Sequence, residues 1–161
     1  MNSDANPTSE EEIRRVIKTY SNSLYKKCIL LLCNKADAED ALQTTFLKYL
    51  SNSPEFQDFE HEKAWLFRVA INICNDILRK RKKTSHLSIE EGYDFSIAES
   101  NTYILSSVMN LPAKYKVVIL LFYIDGYKTV EIAKLLKISP VAVRKRLQYG
   151  RKLLKLEYGE E

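Results

Sequence analysis

Residues 129–154 read TVEIAKLLKISPVAVRKRLQYGRKLL, and this stretch decides the fold. Thr129 to Leu136 has helical spacing, and Lys137-Ile138 makes a turn. Ser139-Pro140 then supply a side-chain N-cap and a first helical residue whose φ is already set. A short helix, a tight turn and a longer helix are the parts of a helix-turn-helix. Ile132, Ala133 and Leu136 are expected to pack on Val143, Leu147 and Leu154, with Ala133 small enough to let the helices approach closely. Val143, Leu147, Gly150 and Leu154 recur at helical spacing and form a buried stripe. Arg144, Lys145, Gln148, Arg151 and Lys152 take the opposite side. Those side chains reach base edges and phosphates when the N-terminal end of a helix enters a major groove. A solvated basic helix in any helical protein carries similar charges. The coincidence of turn, cap and basic face is what points to duplex DNA.

Outward from this stretch the rest of the chain is helical too. Its 161 residues allow one domain or two small ones, and 45% apolar residues are enough to fill their cores. Only four Gly and four Pro leave little punctuation for a many-stranded protein, so the expected class is all-α. Periodicity starts near Glu10 and runs through Ile13, Val16, Tyr20, Leu24, Cys28 and Leu32. Asn34 interrupts it, and Asp37 is the expected cap of the next helix, which carries Ala41, Leu42, Phe46, Leu47 and Leu50 until SNSP breaks it at Ser51 to Pro54. A loop holding Phe56 and Phe59 follows to about Glu62. Thr84 to about Asn101 is the weakest stretch for regular structure and reads as a flexible linker. Helix resumes near Tyr103; Pro112 suits the first turn of a helix to Ile124, and Asp125-Gly126 ends it. Two small helical domains, 9–83 and 104–158, joined by an acidic segment at 84–103, are the expected organisation. The second is a helix-turn-helix domain, winged-helix-like or homeodomain-like.

Between loop and linker lies Ala64 to Lys83, AWLFRVAINICNDILRKRKK. Leu66, Ala70, Ile73 and Ile77 fall in one narrow arc, the mark of a buried stripe. Trp65, Arg68, Asn72, Asp76 and Arg79 share a different arc, and Arg79 to Lys83 are five basic residues in a row. Phe56, Phe59 and Trp65 with Asn72, backed by Arg68 and Arg79, have the chemistry to stack unpaired bases and follow a separated strand. An amide such as Asn72 can also hydrogen-bond a flipped base. The same aromatics serve equally as core.

Charge is distributed unevenly. Thr84 to Tyr103 has four acidic residues and no Lys or Arg, while Lys137 to Lys155 has seven basic residues and no acidic ones. Two basic clusters with an acidic connector suit two surfaces for a polyanion. Asp37, Glu39, Asp40 and Gln43 form an acidic patch that would repel phosphates. A basic protein partner or simple solubility explains it equally well. Cys28, Cys33 and Cys74 form no C-x-x-C pair and read as small buried hydrophobes, with His61 and His86 adding no metal pattern. No cofactor or metal site is expected. There is no phosphate-cradling glycine loop and no nucleophile constellation, so an enzyme is the least expected class. No secretory segment opens the sequence, and the longest apolar run, Val117 to Ile124, is too short to span a bilayer, so no membrane insertion and a cytoplasmic location are expected.

Taken together, these motifs resemble bacterial RNA polymerase sigma factors of the sigma-70 family, of the small extracytoplasmic-function (ECF) type. DAEDALQTTFLKYL is similar to that family's polymerase-docking helix. AWLFRVAINICNDILRKRKK is similar to its −10 promoter-element helix, and LPAKYKVVILLFYIDGYKTVEIAKLLKISPVAVRKRLQYGRKLL to its −35-binding domain. The resemblance spans roughly Ser9 to Leu156. It implies that Asp37, Glu39, Asp40, Gln43 and Phe46 dock on the coiled coil of the largest polymerase subunit. It implies that Phe56, Phe59, Trp65, Arg68, Asn72 and Arg79 meet the melted −10 strand, with Asn72 and Phe56 or Phe59 at a flipped base. It implies that Ser139, Arg144, Lys145, Gln148 and Arg151 contact the −35 duplex. Core RNA polymerase, promoter DNA and an anti-sigma factor are the partners implied. Three positions depart from the family pattern: Thr44 stands where Glu often follows the Gln, Lys137 where the turn usually has Gly, and Val141-Ala142 where Gly-Thr is common. The sequence also has no room for the extra domains of housekeeping sigma factors, which implies a specialised regulon.

Overall fold

The structure, a computed structural model, describes residues 9–84 and 102–158. Every regular element among them is helical, so the fold is all-α, as the spacing predicts. The chain divides into two compact units, residues 1–90 and 91–161. Most of the expected linker lies outside the described residues.

The first unit is three mutually packed helices, α1 (Glu10–Leu32), α2 (Lys35–Asn52) and α3 (Phe59–Thr84). Ser9 caps α1, its Oγ accepting the Glu12 N–H at 3.2 Å, and three glutamates in the first turn complement the helix dipole. Val16, Tyr20, Leu24, Cys28 and Leu31 form its inward line. The helix stops at Cys33, which takes the left-handed conformation (φ 50°) unusual for a residue with a side chain. Asn34 then caps α2 by accepting the Asp37 N–H at 2.9 Å. The expected cap, Asp37, is therefore already inside the helix. Ala38 and Ala41 are fully buried and small, which lets α2 lie close to its neighbours. The α3 helix starts five residues before Ala64, because Asp58 supplies its cap: Asp58 Oδ1 accepts the His61 N–H at 2.8 Å and its carbonyl accepts the Glu62 N–H at 3.1 Å. Leu66, Phe67, Ala70, Ile71, Ile73 and Cys74 are its buried apolar residues, a wider stripe than expected, while Ile77 is only half-buried. All three cysteines are buried free thiols.

The second unit is built from α4 (Thr102–Asn110), α5 (Ala113–Ile119), α6 (Thr129–Leu136) and α7 (Pro140–Tyr158). Pro112 sits at the N-cap of α5, one position before the expected first turn. Past Ile119 the helix widens into a π-turn over Leu120–Ile124, with the Asp125 N–H reaching back to the Leu120 carbonyl at 3.2 Å. Gly126, at φ 72°, ends it, as expected from Asp125-Gly126. Lys137 caps α6 in the left-handed region (φ 55°), the conformation that glycine fills without strain. Ser139 Oγ accepts the Ala142 N–H at 3.1 Å and starts α7. Ile132, Ala133, Leu135, Val143 and Leu147 fill the core with Val117, Val118, Leu120 and Leu121. Leu135 is buried with Ile132 and Ala133, while Leu136, the expected core residue, is half-buried. Gly150 is the contact with α5: a Cβ there would lie 3.1 Å from Ile119 Cγ1. No β-hairpin wing occurs among the described residues.

Candidate nucleic-acid interface

On α7 the residue types sort cleanly by face. Val143, Leu147 and Gly150 are buried, while Val141, Arg144, Lys145, Gln148, Arg151 and Lys152 are exposed. Ser139 is exposed, with its hydroxyl committed to the cap. Arg151 is held within the unit: its Nε–H donates to Tyr123 Oη at 2.5 Å, and its guanidinium lies over the Phe122 and Tyr123 rings at 5.7 and 5.5 Å. Arg144, Lys145 and Gln148 project from the first two and a half turns, the part of such a helix that can enter a groove.

In the first unit the aromatics divide into two sets. Phe56 stacks on Tyr49 (centroids 5.9 Å, 13°), and Trp65 meets both edge-on, at 5.8 Å from Phe56 and 6.1 Å from Tyr49. They form a cluster that ties the loop at 53–58 to α2 and α3. Phe59 stands apart, 69% exposed, its face covered by the Arg15 guanidinium at 5.4 Å. Asn72 is exposed, Arg68 is half-buried, and Arg79 pairs with Asp76 at 3.1 Å on the surface.

Beneath this face lies a polar cluster that the sequence reading missed. Glu62 is buried, and Arg15 grips it with both terminal nitrogens at 2.7 and 3.1 Å. Tyr49 donates to the same carboxylate at 2.8 Å and Tyr20 at 3.0 Å. Burial pushes the Glu62 carboxyl upward, but the bonds from Arg15, Tyr49 and Tyr20 outweigh it and hold the group below its ordinary value. Burial and the Glu62 charge push the Tyr20 hydroxyl up to about 12 and raise that of Tyr49 as well. The bond to Glu62 raises Arg15 in turn. One sequence signal existed: Glu62, Leu66, Ala70 and Ile73 share the apolar stripe's own spacing, so a carboxylate sits where the stripe calls for a hydrophobe.

The outward face of α2 combines charge with apolar surface. Glu39, Asp40 and Gln43 are exposed, and Leu47 (57% exposed) and Leu50 continue the same line. Phe46, implied as a docking residue, is buried, whereas Leu47 beside it is exposed. Asp37 is engaged by Arg81, whose Nη1 also donates to the Leu32 carbonyl at 2.8 Å. Arg81 therefore leaves the basic tail and turns inward, because only there does it satisfy both an aspartate and an orphan carbonyl at a helix end. Arg79, Lys80, Lys82 and Lys83 remain exposed.

Comparison with known proteins finds matches over both units. Residues 16–84 match the family described as Sigma-70 region 2, and residues 102–154 match Sigma-70, region 4. The ECF RNA polymerase sigma factor SigW of Bacillus subtilis is 31% identical over 160 residues, covering 87% of this chain and 85% of SigW. The chain belongs to the ECF sigma factors of the sigma-70 family. SigV of the same organism is 26% identical over 149 residues, with 90% of each chain covered. Among solved structures, the sigma factor RpoE in complex with the anti-sigma factor NepR from Bartonella quintana shares the fold at a TM-score of 0.71 and 19% identity, covering 93% of this chain and 99% of that one. CnrH in complex with the cytosolic domain of CnrY does so at 0.64 and 21%, covering 94% and 92%. This sigma factor therefore binds core RNA polymerase and starts transcription at specific promoters, in a family of transcription initiation factors. No helix among its described residues is long and apolar enough to cross a membrane.

Proposed function

We propose that this sigma factor divides its work among three faces. The α2 face of Glu39, Asp40, Gln43, Leu47 and Leu50 docks on the coiled coil of the largest polymerase subunit, with Asp37 held at its edge. Phe59 and Asn72, with Arg68 and Arg79, receive the non-template strand of the −10 element as it melts, Phe56 and Trp65 shaping the loop behind them. Arg144, Lys145 and Gln148 of α7 meet the −35 duplex from the major groove, Ser139 fixing the helix start and Arg151 flanking it. The residues 9–83, 84–103 and 104–158 thus serve as melting domain, connector and duplex-reading domain. The factor itself carries no catalysis and works in the cytoplasm, where polymerase meets DNA. An anti-sigma factor restrains it, a reading supported by the two similar folds solved with such partners.

The observation that carries this reading is the sorting of residue types on α7: every side chain opposite the core stripe over its first three turns is a cation, an amide, a tyrosine or Val141. Mixing the purified protein with sigma-free core polymerase and genomic promoters tests it. Stable association and promoter-specific transcripts are expected. Failure to associate with core would sink the reading, and duplex binding without core would favour a free-standing regulator.

A further inference from the structure

The exposed face of α7 contains one side chain that phosphate or polymerase contact does not explain. Val141, in the first turn, is 50% exposed. It shares its helical line with Lys145, Gln148 and Lys152, all exposed, directly opposite the buried Val143, Leu147 and Gly150. A single exposed valine is ordinary on a protein surface. Among the exposed positions opposite the core stripe over the first three turns (Val141, Lys145, Gln148 and Tyr149), this one is the only aliphatic side chain, on the second helix of a helix-turn-helix, where base edges are met. The first turn carries no acidic residue to hold it away from DNA. Its β-branched side chain has little rotamer freedom, so it offers a fixed apolar surface.

The major-groove edge of DNA has one apolar group, the C5-methyl of thymine. We propose that Val141 is a specificity-determining residue that packs on a thymine methyl in the upstream promoter element and so discriminates T·A from C·G at that step. This rests on the duplex-reading role assigned to α7. Gln148, seven residues further along, has the paired donor and acceptor that suit adenine N6 and N7. At about 1.5 Å rise per residue the two positions are about 10 Å apart along the helix.

The test uses the sigma factor assembled with core polymerase and promoters selected from a randomised DNA pool. Each thymine of the selected upstream element is then replaced, one at a time, by deoxyuridine, which differs only in lacking the methyl. One replacement is expected to weaken the wild-type complex about fourfold, the worth of one buried carbon group. The same replacement is expected to leave Val141→Ala unchanged, and Val141→Ala should still join core polymerase, since alanine at an exposed helical position favours folding. Selected elements without a thymine, or equal sensitivity of wild type and Val141→Ala at every replacement, overturn the proposal. If the selection enriches no upstream sequence at all, the duplex-reading role itself falls. That result appears before any deoxyuridine is introduced.

Discussion

Arg81, near the end of α3, is bound to Asp37 in the first turn of α2 and to the Leu32 carbonyl at the end of α1. One guanidinium thus fastens the ends of three helices, and its side chain is only 16% exposed. A planar fork can serve an aspartate and a carbonyl together, whereas an ammonium cannot hold both geometries. Arg81→Ala should lower unfolding stability by about 1–2 kcal/mol, discounted for the partly exposed aspartate. Arg81→Lys should recover less than half of the loss, and Lys82→Ala should change nothing. Urea denaturation of the three variants checks this.

The Glu62 cluster sets a pH dependence with a definite sign. The folded carboxyl titrates below its unfolded value, so its contribution is fully present above the ordinary carboxylate range and is lost as pH falls through that range. Tyr20 acts in the opposite direction: its hydroxyl is raised from 10.0 to about 12, so its contribution is complete below pH 10 and is lost as pH rises towards 12. Glu62→Gln should cost about 2 kcal/mol at neutral pH, less than for a fully enclosed pair because Arg15 reaches solvent. It should also flatten the acid limb of the stability curve. An acid limb as steep in Glu62→Gln as in wild type would show that other carboxylates set it.

Much of this was written in the sequence. The Ser139 cap with Pro140 as first helical residue, the Gly126 stop and the polar line through Arg68, Asn72 and Arg79 are local, because spacing and turn chemistry fix them within a few residues. What was hidden depended on contacts between distant positions. Arg81 looked like one of five equivalent cations until its distance from Asp37 was known, 44 residues away in sequence. Glu62 lies in the helix only because Asp58 caps α3 before it, a contact that periodicity from Ala64 does not reveal. Phe46 and Leu47 are adjacent apolar residues whose faces differ by one helical step. A boundary residue of that kind is assigned to core or surface by its neighbours, not by its own type.

That one-step difference is measurable. Phe46→Ala should lose about 3 kcal/mol of stability, as large-to-small changes in a core do. Leu47→Ala combined with Leu50→Ala should leave the unfolding midpoint nearly unchanged and weaken binding to core polymerase severalfold, because exposed leucines contribute when a partner covers them. Titration of each folded variant against labelled core polymerase separates the two effects. Equal loss of binding in stably folded Phe46→Ala would return that residue to the docking face.

The two phenylalanines of the loop and helix start divide in the same way. Phe56 is stacked on Tyr49 and braced by Trp65, so Phe56→Ala should destabilise the first unit by about 2–3 kcal/mol. Phe59 has its edge in solvent and a cation on one face, so Phe59→Ala should fold normally. If Phe59 stacks an unpaired base, its loss removes about 1–3 kcal/mol from the open complex alone. Asn72→Ala should behave likewise, impairing promoter opening more than duplex binding. Permanganate footprinting of the melted strand, with retention of the closed duplex measured in parallel, checks both variants. Equal loss of opening and duplex retention would mean that these side chains hold the complex together and do not capture the strand.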